Sequence, residues 1–124
     1  SPVEELRLLE YGQRLRLQRR CIAVGAEEKS VGRFLFDQSL AGGHRSAGAR
    51  IAANASRITL DVAHPLLTAR SDSEMLDTWI FSGNVPLVRD VSVRGRDVVR
   101  DGHHIDEERI ARRYIETVRR WSQR

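Results

Sequence analysis

The sequence predicts an α+β fold in which four helices accompany a small sheet of three strands. Apolar residues recur at helical spacing near both ends of the chain, and residues alternate between apolar and polar around 57–62. Turn residues separate two further extended stretches near residues 87–93 and 97–100. With 124 residues, 40% of them hydrophobic and 31% charged, the chain is long enough to form a globular domain with a core.

The first predicted helix runs from about Pro2 to Val24. Ser1 and Glu4 have the spacing of a capping box, and Pro2 suits the first helical position. One apolar face recurs along this stretch and consists of Leu8, Tyr11, Leu15 and Ile22. The pattern indicates an amphipathic helix that needs a partner surface.

A second, shorter helix is predicted to begin after Ser30 and to end at Gly42-Gly43. The first strand covers Arg57–Val62, because apolar and polar residues alternate there. The His64-Pro65 pair breaks the strand, since the residue before proline is restricted to extended backbone and proline donates no hydrogen bond.

A third helix begins after Ser71, and Glu74 completes its capping box. It is expected to turn four apolar side chains to a core, those of Met75, Leu76, Trp79 and Ile80, and to close at Ser82-Gly83. Leu87–Val93 and Asp97–Arg100 then read as paired strands joined through Arg94-Gly95-Arg96, with Gly102 ending the hairpin.

The last predicted helix follows Asp106 as its cap, and Ile105 and Ile110 have the spacing of a hydrophobic staple. Its apolar stripe consists of Ile110, Tyr114, Val118 and Trp121, and its opposite face is rich in arginine. Four helices each offer an apolar face, yet three short strands give a small sheet. We therefore expect a region N-terminal to this chain to cover some of these faces.

No catalytic, cofactor-binding or metal-binding residue is predicted. His103 and His104 are adjacent in a predicted solvated turn, His64 closes a strand, and His44 has no evident carboxylate companion. Cys21 is predicted to be a partly buried, inert thiol in the first helix. In the acidic group at the third helix, Glu74 is explained as the capping residue, and Asp72 and Asp77 are attributed to helix-start electrostatics.

The charge of the chain does not predict a nucleic-acid partner. The net charge is +4 and almost all basic residues are arginine, but acidic residues are interspersed with them. Tyr114 and Trp121 fall on the apolar stripe and not on a stacking platform. No apolar run approaches the roughly 20 residues of a membrane span, so no membrane partner is predicted. The single cysteine needs no oxidising compartment, which favours the cytoplasm.

Three stretches together resemble the C-terminal part of the formiminoglutamate deiminases, members of the metal-dependent amidohydrolase superfamily. They are Ser1–Leu15; Leu60-Asp61 with His64-Pro65 and 76–83; and Val88–Arg96 with Val98–Gly102. The likeness covers essentially the whole chain. It departs from the family at Asn54-Ala55-Ser56-Arg57, where the family usually has a glycine and an Ala-Asp pair.

The resemblance implies a (β/α)8 barrel that binds a divalent metal, usually zinc, and a small-molecule substrate. The metal activates a water that attacks the formimino carbon, releasing ammonia and N-formylglutamate in histidine breakdown. The implied ligands are histidines of earlier strands and an aspartate just before Ser1, so this chain alone is expected to be inactive. Residues 1–50 would follow the last barrel strand, and residues 51–124 would complete a β-sandwich shared with the missing N-terminal region.

Three other interpretations stay open. Spare helix faces are also typical of a stand-alone interaction or dimerisation module, and a homo-oligomer is expected in either case. Another deaminase of the amidohydrolase superfamily would share the same sandwich. An arginine-dependent nucleic-acid binder would show affinity that falls steeply with salt.

Overall fold

A computed structural model describes residues 1–24, 30–48 and 56–123, and it confirms an α+β fold. The described helices are α1 (Pro2–Leu17), α2 (Val31–Ser46), α3 (Asp72–Phe81) and α4 (Glu107–Trp121). The described strands are β1 (Ser56–Leu60), β2 (Val88–Val93), β3 (Arg96–Arg100) and β4 (His103–His104). The chain divides into two compact units, one containing α1, α2, α3 and the segment 61–87, the other containing the strands and α4.

The helix α1 ends at Leu17, so the predicted continuation to Val24 is wrong. Gln18 adopts a left-handed conformation with φ of 51°, and its side-chain amide donates to the Leu15 carbonyl at 2.8 Å. This cap uses a carbonyl that the last helical turn leaves without an intrahelical donor. Pro2 occupies the first turn as predicted, but the predicted capping bond from Ser1 is absent.

The helix α2 runs through Gly42 and Gly43, so the predicted stop at these glycines is wrong. Glycine weakens a helix by about 1 kcal/mol relative to alanine but does not end it unless the backbone turns left-handed. That turn comes later, at Gly48 with φ of 59°. The N-terminus is as predicted, because the Ser30 hydroxyl accepts the Arg33 N–H at 3.0 Å.

The helix α3 confirms its predicted capping box, and Ser82 and Gly83 (φ of 87°) close it as expected. The Glu74 carboxylate accepts the backbone N–H of Ser71 at 2.8 Å and its hydroxyl at 2.7 Å. Ile80 near the end of the helix is fully buried. The buried hydrophobic core of this unit consists of Val31, Leu35, Leu67, Ile80 and Leu87.

The sheet is antiparallel with strand order β1-β2-β3-β4. Its first strand ends at Leu60 and not at Val62 as predicted, and its register against β2 shifts between Thr59 and Leu60. The Asp61 N–H still donates to the Leu87 carbonyl at 2.9 Å. One row across the sheet places Ile58, Val91 and Val99 opposite one another and ends at His104. The sequence did not predict β4.

Two tight turns explain how β3 joins its neighbours. Arg94 and Gly95 both have positive φ, 51° and 78°, as a type I′ hairpin turn requires. Asp101 and Gly102 repeat this arrangement with φ of 48° and 80°. Gly102 was predicted to end the hairpin, but it forms a second turn that leads into β4 and makes the sheet four-stranded among the described residues.

The helix α4 begins after Asp106 and carries the predicted stripe, but none of its residues is buried. The predicted capping bond from Asp106 is absent, because its carboxylate pairs with Arg109 at 2.9 Å. Ile105 and Ile110, the predicted staple, each remain about half exposed. Across the described part of the chain, no helix combines the length and apolar character needed to cross a membrane.

Candidate functional site

The four histidines lie in three different places in the fold. His44 is in the last turn of α2, His64 is in the turn after β1, and His103 and His104 form β4. The solvated turn predicted for the last two is therefore a short edge strand, although both side chains are exposed as expected. Neighbouring residues on a strand point to opposite faces, so these two imidazoles do not converge.

His103 and His104 each have a partner near the start of α4. His103 Nδ1 lies 2.9 Å from the Glu107 carboxylate, and His104 Nδ1 accepts the Asp106 backbone N–H at 3.1 Å. An open concavity lies against this first turn and is lined by residues of β4 and α4. One exposed imidazole beside one exposed carboxylate orients the helix start but does not make a nucleophile or an enclosed general base.

His64 organises the turn that follows β1. Its backbone carbonyl accepts the N–H groups of Leu67 and Thr68, and its Nδ1 accepts the Leu66 N–H at 3.2 Å. Leu67 is then held in the core with 2% of its surface exposed. The ring nitrogen is engaged with backbone, so His64 acts as a turn-forming residue.

Cys21 lies beyond the end of α1 and is exposed, so its predicted place in a helix and its partial burial are both wrong. Its backbone has a positive φ of 51°. The helix ended earlier, and the chain turns here instead of continuing the apolar face. No structural observation of the thiol indicates a catalytic role.

The acidic residues of α3 have different roles. Glu74 caps its own helix as predicted, and the hydrogen bonds from Ser71 lower its carboxyl pKa. Asp77 was attributed to helix-start electrostatics, but it accepts the Gly32 backbone N–H at 2.6 Å and so satisfies a free donor at the start of α2. This long-range contact fixes α2 against α3.

Glu10 is the buried charge that the sequence did not reveal. Its side chain is fully buried, and its two oxygens accept the backbone N–H groups of Ile22 at 3.0 Å and Ala23 at 2.9 Å. Arg14 donates a third bond at 2.8 Å. Burial raises the pKa of this carboxyl, but the bonds from Arg14, Ala23 and Ile22 outweigh burial and lower it. The segment after α1 is therefore tied back to the helix.

Arg7 anchors α1 to the end of α3. Its guanidinium donates to the Ile80 carbonyl at 2.6 Å, to the Asn84 side chain at 3.0 Å and to the Gly83 carbonyl. Carbonyls at a helix C-terminus carry a partial negative charge and lack intrahelical donors, so a cation is favourable there. In the sequence, Arg7 was one arginine among many.

Two of the arginines that an arginine-dependent nucleic-acid binder could use are engaged with protein groups. Arg14 pairs with Glu10 and lies over the rings of Tyr11 and Phe81, at 5.4 and 5.7 Å from their centroids. On α4, Arg109 pairs with Asp106. These contacts favour structural roles for these two residues over an exposed phosphate-binding stripe.

The described residues do not supply a ligand set for the zinc that the resemblance implies. Within ranges 1–24, 30–48 and 56–123, no group of three or more His, Cys, Asp or Glu side chains is arranged to hold a metal ion. Zinc sites in proteins need three or four such ligands. Glu10, the most buried carboxylate, already accepts three protein donors.

Comparison with known proteins identifies the relatives of this chain. It is 42% identical over 123 residues to a formimidoylglutamate deiminase of Pseudomonas aeruginosa strain PAO1, covering 95% of this chain and 27% of that protein. A crystal structure of an amidohydrolase from Brucella melitensis matches with a TM-score of 0.77 and 36% identity, over 90% of this chain and 25% of that one. No family model matches the sequence. The chain thus spans about a quarter of the length of these relatives, and the resemblance stated from the sequence is confirmed.

Proposed function

We propose that this chain, similar along nearly all of its length to part of a formimidoylglutamate deiminase, is the C-terminal part of a zinc-dependent hydrolase that deiminates N-formimino-L-glutamate. The observation that carries the proposal is the 42% identity over 95% of the chain, which extends through both compact units. The amidohydrolase from Brucella melitensis supports the same architecture with a TM-score of 0.77. We place the reaction in the cytoplasm, in histidine degradation.

The proposed reaction is a hydrolysis. Water adds to the carbon of the HN=CH–NH group, the carbon–nitrogen bond to the terminal nitrogen breaks, and N-formyl-L-glutamate and ammonia leave. The water must lose a proton and the departing nitrogen must gain one, so the site needs groups poised for proton transfer. Such groups must also lie within hydrogen-bond reach of the substrate.

The described residues offer no such pair, which supports chemistry located in another part of a longer polypeptide. The Glu10 carboxylate is buried and saturated with donors, and the His103 imidazole stands in solvent beside Glu107. We therefore expect the residues that hold zinc and substrate to lie in the proposed barrel region upstream of Ser1. This chain alone is expected to be inactive.

The proposed role of this chain is to support that barrel. Three polar side chains stabilise its helical unit. Arg7 binds the end of α3, Glu10 binds the segment after α1, and Asp77 binds the start of α2. Each joins elements or segments that are distant in sequence. A rigid helical unit of this kind would hold the last barrel strand in place, and the sheet with α4 would contribute to the proposed β-sandwich.

The test compares this chain with a longer polypeptide that carries it. Ammonia release from N-formimino-L-glutamate and bound zinc are measured for both. Activity and stoichiometric zinc in the longer polypeptide alone are the expected result, with activity lost on chelation and restored by zinc. Turnover by the 124-residue chain itself would contradict the proposal. Ammonia release from other amidine or amine substrates, but not from this one, would favour a different deaminase of the superfamily.

A stand-alone interaction module is the second candidate, and the exposed face of α4 favours it. Tyr114 and Trp121 on that face are 69% and 79% exposed. Sedimentation of the chain separates the two candidates. A stable homo-oligomer that forms without any upstream region, together with a longer polypeptide that has no hydrolase activity, would favour the module.

A further inference from the structure

The helix α4 carries an apolar surface that nothing in its own unit buries. We call it the terminal stripe, and it consists of Ile110, Tyr114, Ile115, Val118 and Trp121. The exposed fractions of these side chains run from 42% for Val118 to 79% for Trp121. Four of them are spaced three or four residues apart and lie on one face of the helix, and Ile115 lies at the edge of that face.

Such a helix is poorly stable without a partner. Isolated helices shorter than about 12–15 residues are marginal in water, and protein helices gain most of their stability from packing an apolar face. An aromatic side chain such as Tyr114 or Trp121 buries about 150–250 Å² when it is covered. Covering the stripe with a partner surface would therefore stabilise α4.

Charge defines the edge of the stripe. At 100° per residue, Arg112 and Arg119 lie on the flank next to Ile115, two helical turns apart. Among the described residues neither makes an ion pair, whereas Arg109 pairs with Asp106. Arg113 and Arg120 lie on the other flank, next to Ile110. A surface complementary to the stripe is therefore apolar at its centre and carries carboxylates along both sides.

A second copy of α4 does not meet this description. An antiparallel pair centred on the stripe would bring Arg112 of one copy beside Arg119 of the other, and like charges repel. Charge therefore favours a different surface.

We propose that the terminal stripe docks onto the remaining region of the same longer polypeptide, through an apolar surface rimmed by acidic side chains. This inference rests on the proposed function, since it requires the chain to be part of a larger protein. The relatives provide ample partner surface, because this chain covers only 27% and 25% of their lengths. The occupant is intramolecular, and the arginines on the two flanks of the stripe face its acidic rim.

Hydrogen exchange of the α4 amides tests the proposal in the longer polypeptide and in this chain. We expect exchange at least about 10-fold slower in the longer polypeptide, independent of protein concentration. Tyr114→Ser in the longer polypeptide should abolish most of that slowing. The matched control Glu116→Ser, on the opposite charged face, should leave it intact.

Three results would overturn the proposal: equal exchange in the two proteins, slowing that disappears on dilution, or slowing that requires vesicles of anionic lipid. Dilution dependence would assign the stripe to a second copy, and vesicle dependence would assign it to a membrane surface. Deiminase activity is measured on the same samples. Slow exchange without activity would support the docking proposal and contradict the proposed function. Activity without slow exchange would support the proposed function and contradict the docking proposal.

Discussion

Glu10 and Arg14 lie one helical turn apart on α1, and the Arg14 Nε donates to the buried Glu10 carboxylate at 2.8 Å. The same carboxylate accepts two backbone N–H groups from Ile22 and Ala23, after the helix has ended. A surface pair at this spacing contributes about 0.3–0.5 kcal/mol. The buried Glu10 carboxylate contributes more than such a surface pair, because removing it leaves two backbone donors and a guanidinium without their acceptor.

Glu10→Ala is therefore expected to lower the free energy of unfolding by about 3 kcal/mol. Urea denaturation followed by circular dichroism measures it. The control is Glu116→Ala, an exposed glutamate on α4, which should change stability by less than about 0.5 kcal/mol. A loss at Glu10 no larger than at Glu116 would contradict the anchoring role.

The pH dependence of stability follows from the same group. The hydrogen bonds from Arg14, Ala23 and Ile22 outweigh the effect of burial, so the folded pKa of Glu10 lies below its ordinary value of 4.5. Its contribution is fully present above the unfolded pKa and is lost as the pH falls through the folded pKa. Unfolding free energies measured from about pH 6 to about pH 3 should fall less steeply for Glu10→Gln than for the unmodified chain. Parallel profiles would show that another carboxyl dominates.

Two glycines of α2 should respond in opposite directions to the same change. A Cβ at Gly32 would lie 2.8 Å from backbone atoms of Leu76 and Asp77, so Gly32→Ala should lower stability by about 2 kcal/mol. A Cβ at Gly42 meets nothing within 4 Å, so Gly42→Ala should raise stability by about 0.5–1 kcal/mol through helix propensity. Thermal unfolding of both variants gives the direction of each stability change. Destabilisation by Gly42→Ala would contradict a continuous helix at that position.

The first hairpin turn can be improved by one substitution. Arg94 holds a positive φ of 51° before Gly95, and asparagine is the preferred residue at this position of a type I′ turn. Arg94→Asn should raise stability by about 0.5 kcal/mol, since asparagine tolerates this conformation better than arginine. Arg96→Asn is the matched comparison and should lower stability, because Arg96 lies in β3 and asparagine disfavours strands. The urea midpoints of the two variants should move in opposite directions.

The sequence by itself determined the elements that local signals encode. The periodicity of α1 and α4, the capping box of Ser71 with Glu74, and the Arg94-Gly95 turn each depend on residues within one or two turns of one another. Local propensity therefore suffices to predict them. The stop predicted at Gly42-Gly43 failed because a glycine ends a helix only if the chain turns left-handed there, and that choice is not local.

Only the tertiary structure decided where the buried polar groups find partners. Glu10 and Asp77 were indistinguishable from surface carboxylates in the sequence, yet each accepts backbone donors, from residues 12, 13 and 45 positions away. A buried charge is stable only if distant segments bring donors to it, and no local pattern records that requirement. The apolar stripe of α4 could be predicted from residue spacing, which is local. Its exposure depends on which distant residues pack against the helix, so only the tertiary structure revealed it.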